Sequence, residues 1–132
     1  MRALVFCFVL LVAACATPAS AGPALSGTSW TVATISGADA GAAQRRPSVA
    51  FTDTRVSGSA GCNAWSGNYT LTGDALHITQ GVHTMMACAS GMEVERAFLD
   101  AVENTRRASV SGATLTFFDA QGHVLATFSR AS

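Results

Sequence analysis

Three kinds of side chain here could do chemistry: four cysteines, three histidines and four methionines. Cys62 and Cys88, 26 positions apart, could form a disulfide or a thiol redox pair. A redox pair needs a depressed thiolate pKa, supplied by a helix N-terminus, a cation or tight Cys-x-x-Cys spacing. That spacing is absent, and Cys62 has no charged sequence neighbour. Cys88 stands just before a predicted helix start, which favours its thiolate modestly. The run His83-Thr84-Met85-Met86-Ala87-Cys88 holds imidazole, thioether and thiol, a soft donor set of the kind that suits Cu(I). Read as a strand, it divides them. His83, Met85 and Ala87 take one face, and Thr84, Met86 and Cys88 the other. On that reading the methionines are core filler, and no metal or cofactor is expected.

Other catalytic patterns are missing. His77, His83 and His123 show no metal-ligand spacing with one another. Ser57-Gly58-Ser59-Ala60-Gly61 has the letters of a nucleophile elbow but not their order. The glycine-rich stretch from Gly58 to Tyr69 leads toward another strand, whereas a phosphate-binding loop must open a helix. Asp53, Asp74 and Asp119 fall in turns, where Asp is ordinary. The chain reads as a non-enzyme.

The compartment decides between the cysteine readings. Arg2 precedes an unbroken apolar run from Ala3 to Ala14, too short for a membrane-spanning helix of about 20 residues. It reads as a signal segment, residues 1–14. Val12-Ala13-Ala14-Cys15 resembles the lipobox of bacterial lipoproteins, which makes Cys15 the lipidated residue and the membrane a partner. Ala16 in second place favours the outer membrane. Cleavage after Ala21, giving a soluble secreted protein, is the alternative. Either way the domain lies outside the cytoplasm, Cys7 leaves with the signal segment, and Cys62 and Cys88 remain. An even pair in an oxidising compartment reads as one disulfide.

The charge balance removes one class of partner. The formal net charge is zero, and the arginines are scattered apart from two pairs, Arg45-Arg46 and Arg106-Arg107. Nucleic-acid binding needs a basic stripe that is absent.

The positioning elements follow from periodicity. Residues 15–24 are small and uncharged, a flexible tether, and the domain occupies residues 25–132. Strands are predicted over 28–35, 47–52, 55–59, 68–72, 75–79, 82–87, 107–111, 114–118 and 123–129. Trp30 reads as a core anchor. Residues 36–46 contain no large apolar side chain and read as a surface loop. Ser90 and Glu93 have capping-box spacing, opening a helix over Ser90–Asn104 with Val94, Ala97, Phe98, Ala101 and Val102 on one face. Together these predict an α+β fold: a curved, partly closed antiparallel sheet with one helix. Gly58, Gly61 and Gly67 mark a bent junction, and Asn63 within it reads as bonded to the bent backbone.

With those pieces in order, the chain resembles the META domain family, which includes the heat-shock protein HslJ of bacterial envelopes. The specific residues are Gly61-Cys62-Asn63 and Thr84-Met85-Met86-Ala87-Cys88. Trp30, Pro47, Phe51, Gly58, Gly67, Tyr69, Glu95, Phe98 and the ending from Leu115 to Phe128 support them. The resemblance implies a small β-rich fold with one helix, frequent secretion or lipid anchoring, and links to heat shock and novobiocin tolerance. It brings no catalytic residues and no cofactor. The function expected is a non-enzymatic envelope lipoprotein that supports stress tolerance by binding an unidentified envelope protein or ligand. Two alternatives stay open: a periplasmic protease inhibitor or binder using residues 36–46, and a thiol redox protein using Cys62 and Cys88.

Overall fold

Gly73 and Gly112 sit at two-residue hairpin turns with φ of +60° and +59°, the sign that the first position of a type II′ turn requires. Such turns keep successive strands adjacent. In the computed structural model, which describes Cys15 and residues 22–132, eight strands follow one another around the sheet in chain order. They are β1 (Ser29–Ile35), β2 (Ser48–Phe51), β3 (Arg55–Ser59), β4 (Ala64–Thr72), β5 (Ala75–His83), β6 (Arg107–Ser111), β7 (Thr114–Phe118) and β8 (Val124–Arg130). Every neighbour is antiparallel, and β8 pairs back onto β1, with Thr31 opposite Ser129. The sheet is therefore a closed barrel, which leaves no edge strand unpaired. The α+β fold with an antiparallel sheet and one helix holds, and closure is complete rather than partial.

One helix, α1 (Met92–Asn104), lies between β5 and β6. Those two strands form the narrowest seam of the barrel. A single register pair, Ala75 with Arg107, joins them, flanked by backbone bonds from Leu76 to Arg106 and from Ala108 to Asp74. The helix packs against β5, β1 and β8. Its apolar stripe of Val94, Phe98 and Val102 enters the same core as Trp30, Val56, Leu76, Leu115, Phe117 and Phe128. Phe98 meets Trp65 edge-on at 5.4 Å between ring centres, a favoured aromatic geometry.

Four expectations change. Strict alternation along β1 fails at Ala33, where a bulge shifts the register. Trp30, Val32 and Ile35 all point inward as a result; one extra residue flips the phase of those after it. β4 begins at Ala64 rather than Asn68 and takes in Trp65 and Gly67. The predicted separate strand over 82–87 does not exist. Val82 and His83 end β5, and Thr84 to Ala87 leave the sheet. The capping box does not form either. Gly91, at φ +91°, is the N-cap without a side-chain bond, so Ser90 lies one residue outside.

The predicted signal segment, residues 1–14, lies outside the described residues, as does most of the tether. Gly22 to Ala24 pack beside the Gly73-Asp74 turn, and Leu25 is buried.

Candidate functional site

The junction between β3 and β4 runs from Ala60 to Asn63. Gly61 has φ +124°, a left-handed conformation that a side chain resists. The turn closes with a bond from the Ala60 N–H to the Asn63 carbonyl. It presents two backbone N–H groups and one amide side chain toward α1, and they need an acceptor once buried.

Glu95 supplies it. Its Oε2 accepts from the Asn63 N–H at 2.7 Å and the Cys62 N–H at 3.2 Å. Its Oε1 accepts from Asn63 Nδ2 at 2.8 Å. Glu95 is only 5% exposed. Burial by itself pushes its pKa up, but the bonds from Asn63 and Cys62, with nearby His83, outweigh that and hold it below the usual value. A carboxylate that accepts several N–H bonds stays charged in this way.

Asn63 reaches from Glu95 to the segment after β5. Nδ2 also donates to the Met86 carbonyl at 3.1 Å. Oδ1 accepts from the Met86 N–H at 2.7 Å and Thr84 Oγ1 at 2.9 Å. Both donors and both acceptor positions of the amide are thus used. Thr84 Oγ1 in turn accepts from the Ala64 N–H. The Thr84 N–H still bonds the Ala64 carbonyl across to β4, but both backbone groups of Met86 turn to the Asn63 amide, so the chain leaves the ladder after His83.

Cys62 and Cys88 are disulfide-bonded with Cα atoms 6.0 Å apart. The bond ties the end of the same segment to the same junction. Residues 84–88 are therefore held at one end by Asn63 and at the other by a covalent link.

What this frame holds outward is apolar. Met85 is 88% exposed, Met86 58%, Met92 37% and Val82 72%. Only one other large hydrophobic residue among those described, Val124, is comparably exposed. Four of five thus fall within residues 82–92, a clustering that scattered surface residues would not give. The expectation that Met85 and Met86 fill the core is overturned, because the strand that would have buried them ends two residues earlier. Met85, Met86 and Met92 border one shallow hollow with His83.

The site residues divide as follows. The junction brings together Gly61, Cys62, Asn63, Thr84, Met85, Met86 and Cys88. Cys15 is exposed and belongs to the chain that precedes the barrel. Residues 36–46 form the expected surface loop, mostly exposed, but it is tied down against the barrel. The Arg45 N–H bonds to the Gly61 carbonyl, Ala40 is buried, and the backbone at Ala43 and Gln44 closes on Gly91. His123 is exposed and bonds Asp119 at 3.0 Å, a pairing within one turn. Among the described residues, no group of three or more His, Cys, Asp or Glu is placed to hold a metal ion, and no helix is long and apolar enough to cross a membrane.

Sequence reasoning missed the structural role of Glu95 and the place of Met92. The signal for Glu95 was present: a charged residue beside Val94 and Phe98 interrupts the apolar stripe, and a buried charge requires partners.

The family model for the META domain matches residues 23–132. No curated protein matches the chain. A protein from Burkholderia xenovorans, solved by NMR, is similar at 27% identity over 82% of this chain and 84% of that one, with a TM-score of 0.64. A second NMR structure shares the fold at 20% identity, covering 80% of this chain and 90% of the other, with a TM-score of 0.63.

Proposed function

We propose that this chain, which belongs to the META domain family, is a non-enzymatic envelope protein. It is lipid-anchored through Cys15 and binds another envelope component through the ledge from Val82 to Met92. The observation that carries this is the concentration of exposed apolar side chains on a segment that is both disulfide-linked and amide-clamped. A protein gains nothing in stability from holding methionines in water. A rigid apolar ledge does help binding, because less ordering entropy is lost on contact. Methionine suits such a surface, being flexible and polarizable. The role expected for the bound state is support of the envelope under stress, as the family resemblance implies.

A photoreactive residue in place of Met85 tests the contact surface in intact cells. A discrete cross-linked adduct at position 85, absent when the same group replaces His77 on the outer face of β5, supports the reading. Equal labelling at both positions, or none at 85, refutes it. The anchor is tested separately by the mass of the mature N-terminus: acyl chains on Cys15 support it, and an unmodified N-terminus at Gly22 overturns it.

A further inference from the structure

Beyond Met1, every methionine of the chain, Met85, Met86 and Met92, borders the same hollow. Chance placement of core filler does not do this, and the buried core holds no methionine among the described residues. The hollow has a volume of about 220 Å³, and His83 lies on its border with the three thioethers. Strand alternation would have kept His83 and Met86 on opposite faces. Because the strand ends at His83, that objection disappears.

We propose that this hollow binds a soft monovalent metal ion, Cu(I), through the thioether sulfurs of Met85, Met86 and Met92 and the imidazole of His83. The proposal rests on the reading of the ledge as a contact surface and names a ligand class for it. Thioethers select Cu(I) over harder ions, and imidazole suits copper. Harder ions lack donors here. The Glu95 carboxylate already accepts three N–H bonds, the Asn63 amide is fully used, and both cysteines are joined to each other. The four donors are also exposed and unclaimed by hydrogen bonds among the described residues, so metal entry needs no opening of the barrel. The disulfide and the Asn63 clamp fix the backbone that carries Met85 and Met86, while the methionine side chains keep the freedom to converge on an ion.

The test is an anaerobic titration of the full, disulfide-bonded chain with Cu(I) held by bicinchoninate. Ascorbate serves as reductant so that the cysteine bond survives. The expected result is one Cu(I) per chain withdrawn from the probe, with shifts in the methyl NMR signals of Met85, Met86 and Met92. Met85→Leu/Met86→Leu keeps the bulk and removes two thioethers at exposed positions. It should weaken binding by more than the roughly tenfold typical of losing even an outer-shell partner. His83→Gln should weaken it likewise, and His77→Gln should not. No metal withdrawn by the native chain overturns the proposal, as does equal binding by the native chain and the double leucine variant. Absent metal binding with cross-linking at position 85 retained removes the metal site alone. Metal binding without any cross-link keeps the site and removes the protein-contact reading.

Discussion

Replacing Glu95 with Gln removes one charge and leaves nearly the same shape. In the native protein the carboxylate accepts three N–H bonds, at 2.7, 2.8 and 3.2 Å. Glutamine has one acceptor oxygen. If that oxygen serves the Cys62 and Asn63 backbone, the new amide faces Asn63 Nδ2, donor against donor. Turning the Asn63 amide over would relieve the clash, but it would break the bonds from Met86 N–H and Thr84 Oγ1. One charge-assisted bond is lost outright and two are weakened, partly offset because a neutral amide is easier to bury. The net cost is about 2–4 kcal/mol, since bonds to charged groups contribute about 1.5–3 each and an orphaned buried donor costs about 1–3. In a domain near 100 residues each kcal/mol moves Tm by about 4–8 °C, so thermal unfolding should fall by about 10 °C or more. The pH profile carries a second signature. The folded pKa of Glu95 lies below its ordinary value of 4.5. Its stabilising contribution is therefore full above about that pH and is lost as pH falls through the lower folded value. Glu95→Gln should abolish that part of the acid dependence, so that the stability gap to the native chain narrows as pH falls. Circular dichroism melts at pH 7 and at pH 3 measure both. A cost under about 1 kcal/mol at neutral pH, or a gap that does not narrow in acid, would refute the clamp.

Other perturbations separate architecture from contact. Cys62→Ser/Cys88→Ser opens a loop whose closure stabilises by about 3.5 kcal/mol in the chain-entropy model, and denaturant midpoints should fall accordingly; an unchanged midpoint counts against a structural bond. Gly67→Ala brings a Cβ to 2.4 Å from the Thr79 carbonyl oxygen. It should cost far more than Gly73→Ala, which meets no neighbour and suffers only the strain of a positive φ, about 1–3 kcal/mol. Equal melting of the two refutes the close β4–β5 approach. Met85→Ser/Met86→Ser should move Tm by no more than about 2–4 °C per substitution, because surface changes usually fall within about 0.5 kcal/mol, while abolishing partner capture; a larger loss of stability would show that the ledge belongs to the core.

Local pattern carried most of the barrel. The strands from β6 to β8 and the turn glycines between them are legible because alternation and Gly turns are properties of adjacent residues. The end of the helix at Asn104 is legible for the same reason. Where the reading failed, the cause lay across the chain. Thr84 to Ala87 has strand composition, but the Asn63 amide, from a turn more than twenty positions earlier, takes both backbone bonds of Met86 and draws the segment off the ladder. Ser90 and Glu93 have capping spacing, but Gly91 turns left-handed against the backbone of residues 43 and 44. The exposure of Met85 and Met86 follows from the first of these and so was invisible in alternation. The Cys62–Cys88 bond was legible because the cysteine count left a single pair. Closure of β8 onto β1 was not, since no local signal distinguishes a curved open sheet from a barrel.

The junction serves a purpose beyond the fold if the ledge it holds meets a partner. The direct measurement is photo-cross-linking in living cells, with the reactive group in place of Met85 in the native chain and in the Cys62→Ser/Cys88→Ser chain. The account predicts one discrete adduct in the native chain and a clear loss of yield when the cysteine bond is removed, because the ledge then loses its fixed geometry. An adduct of equal yield in both chains, or no adduct in the native one, would contradict it.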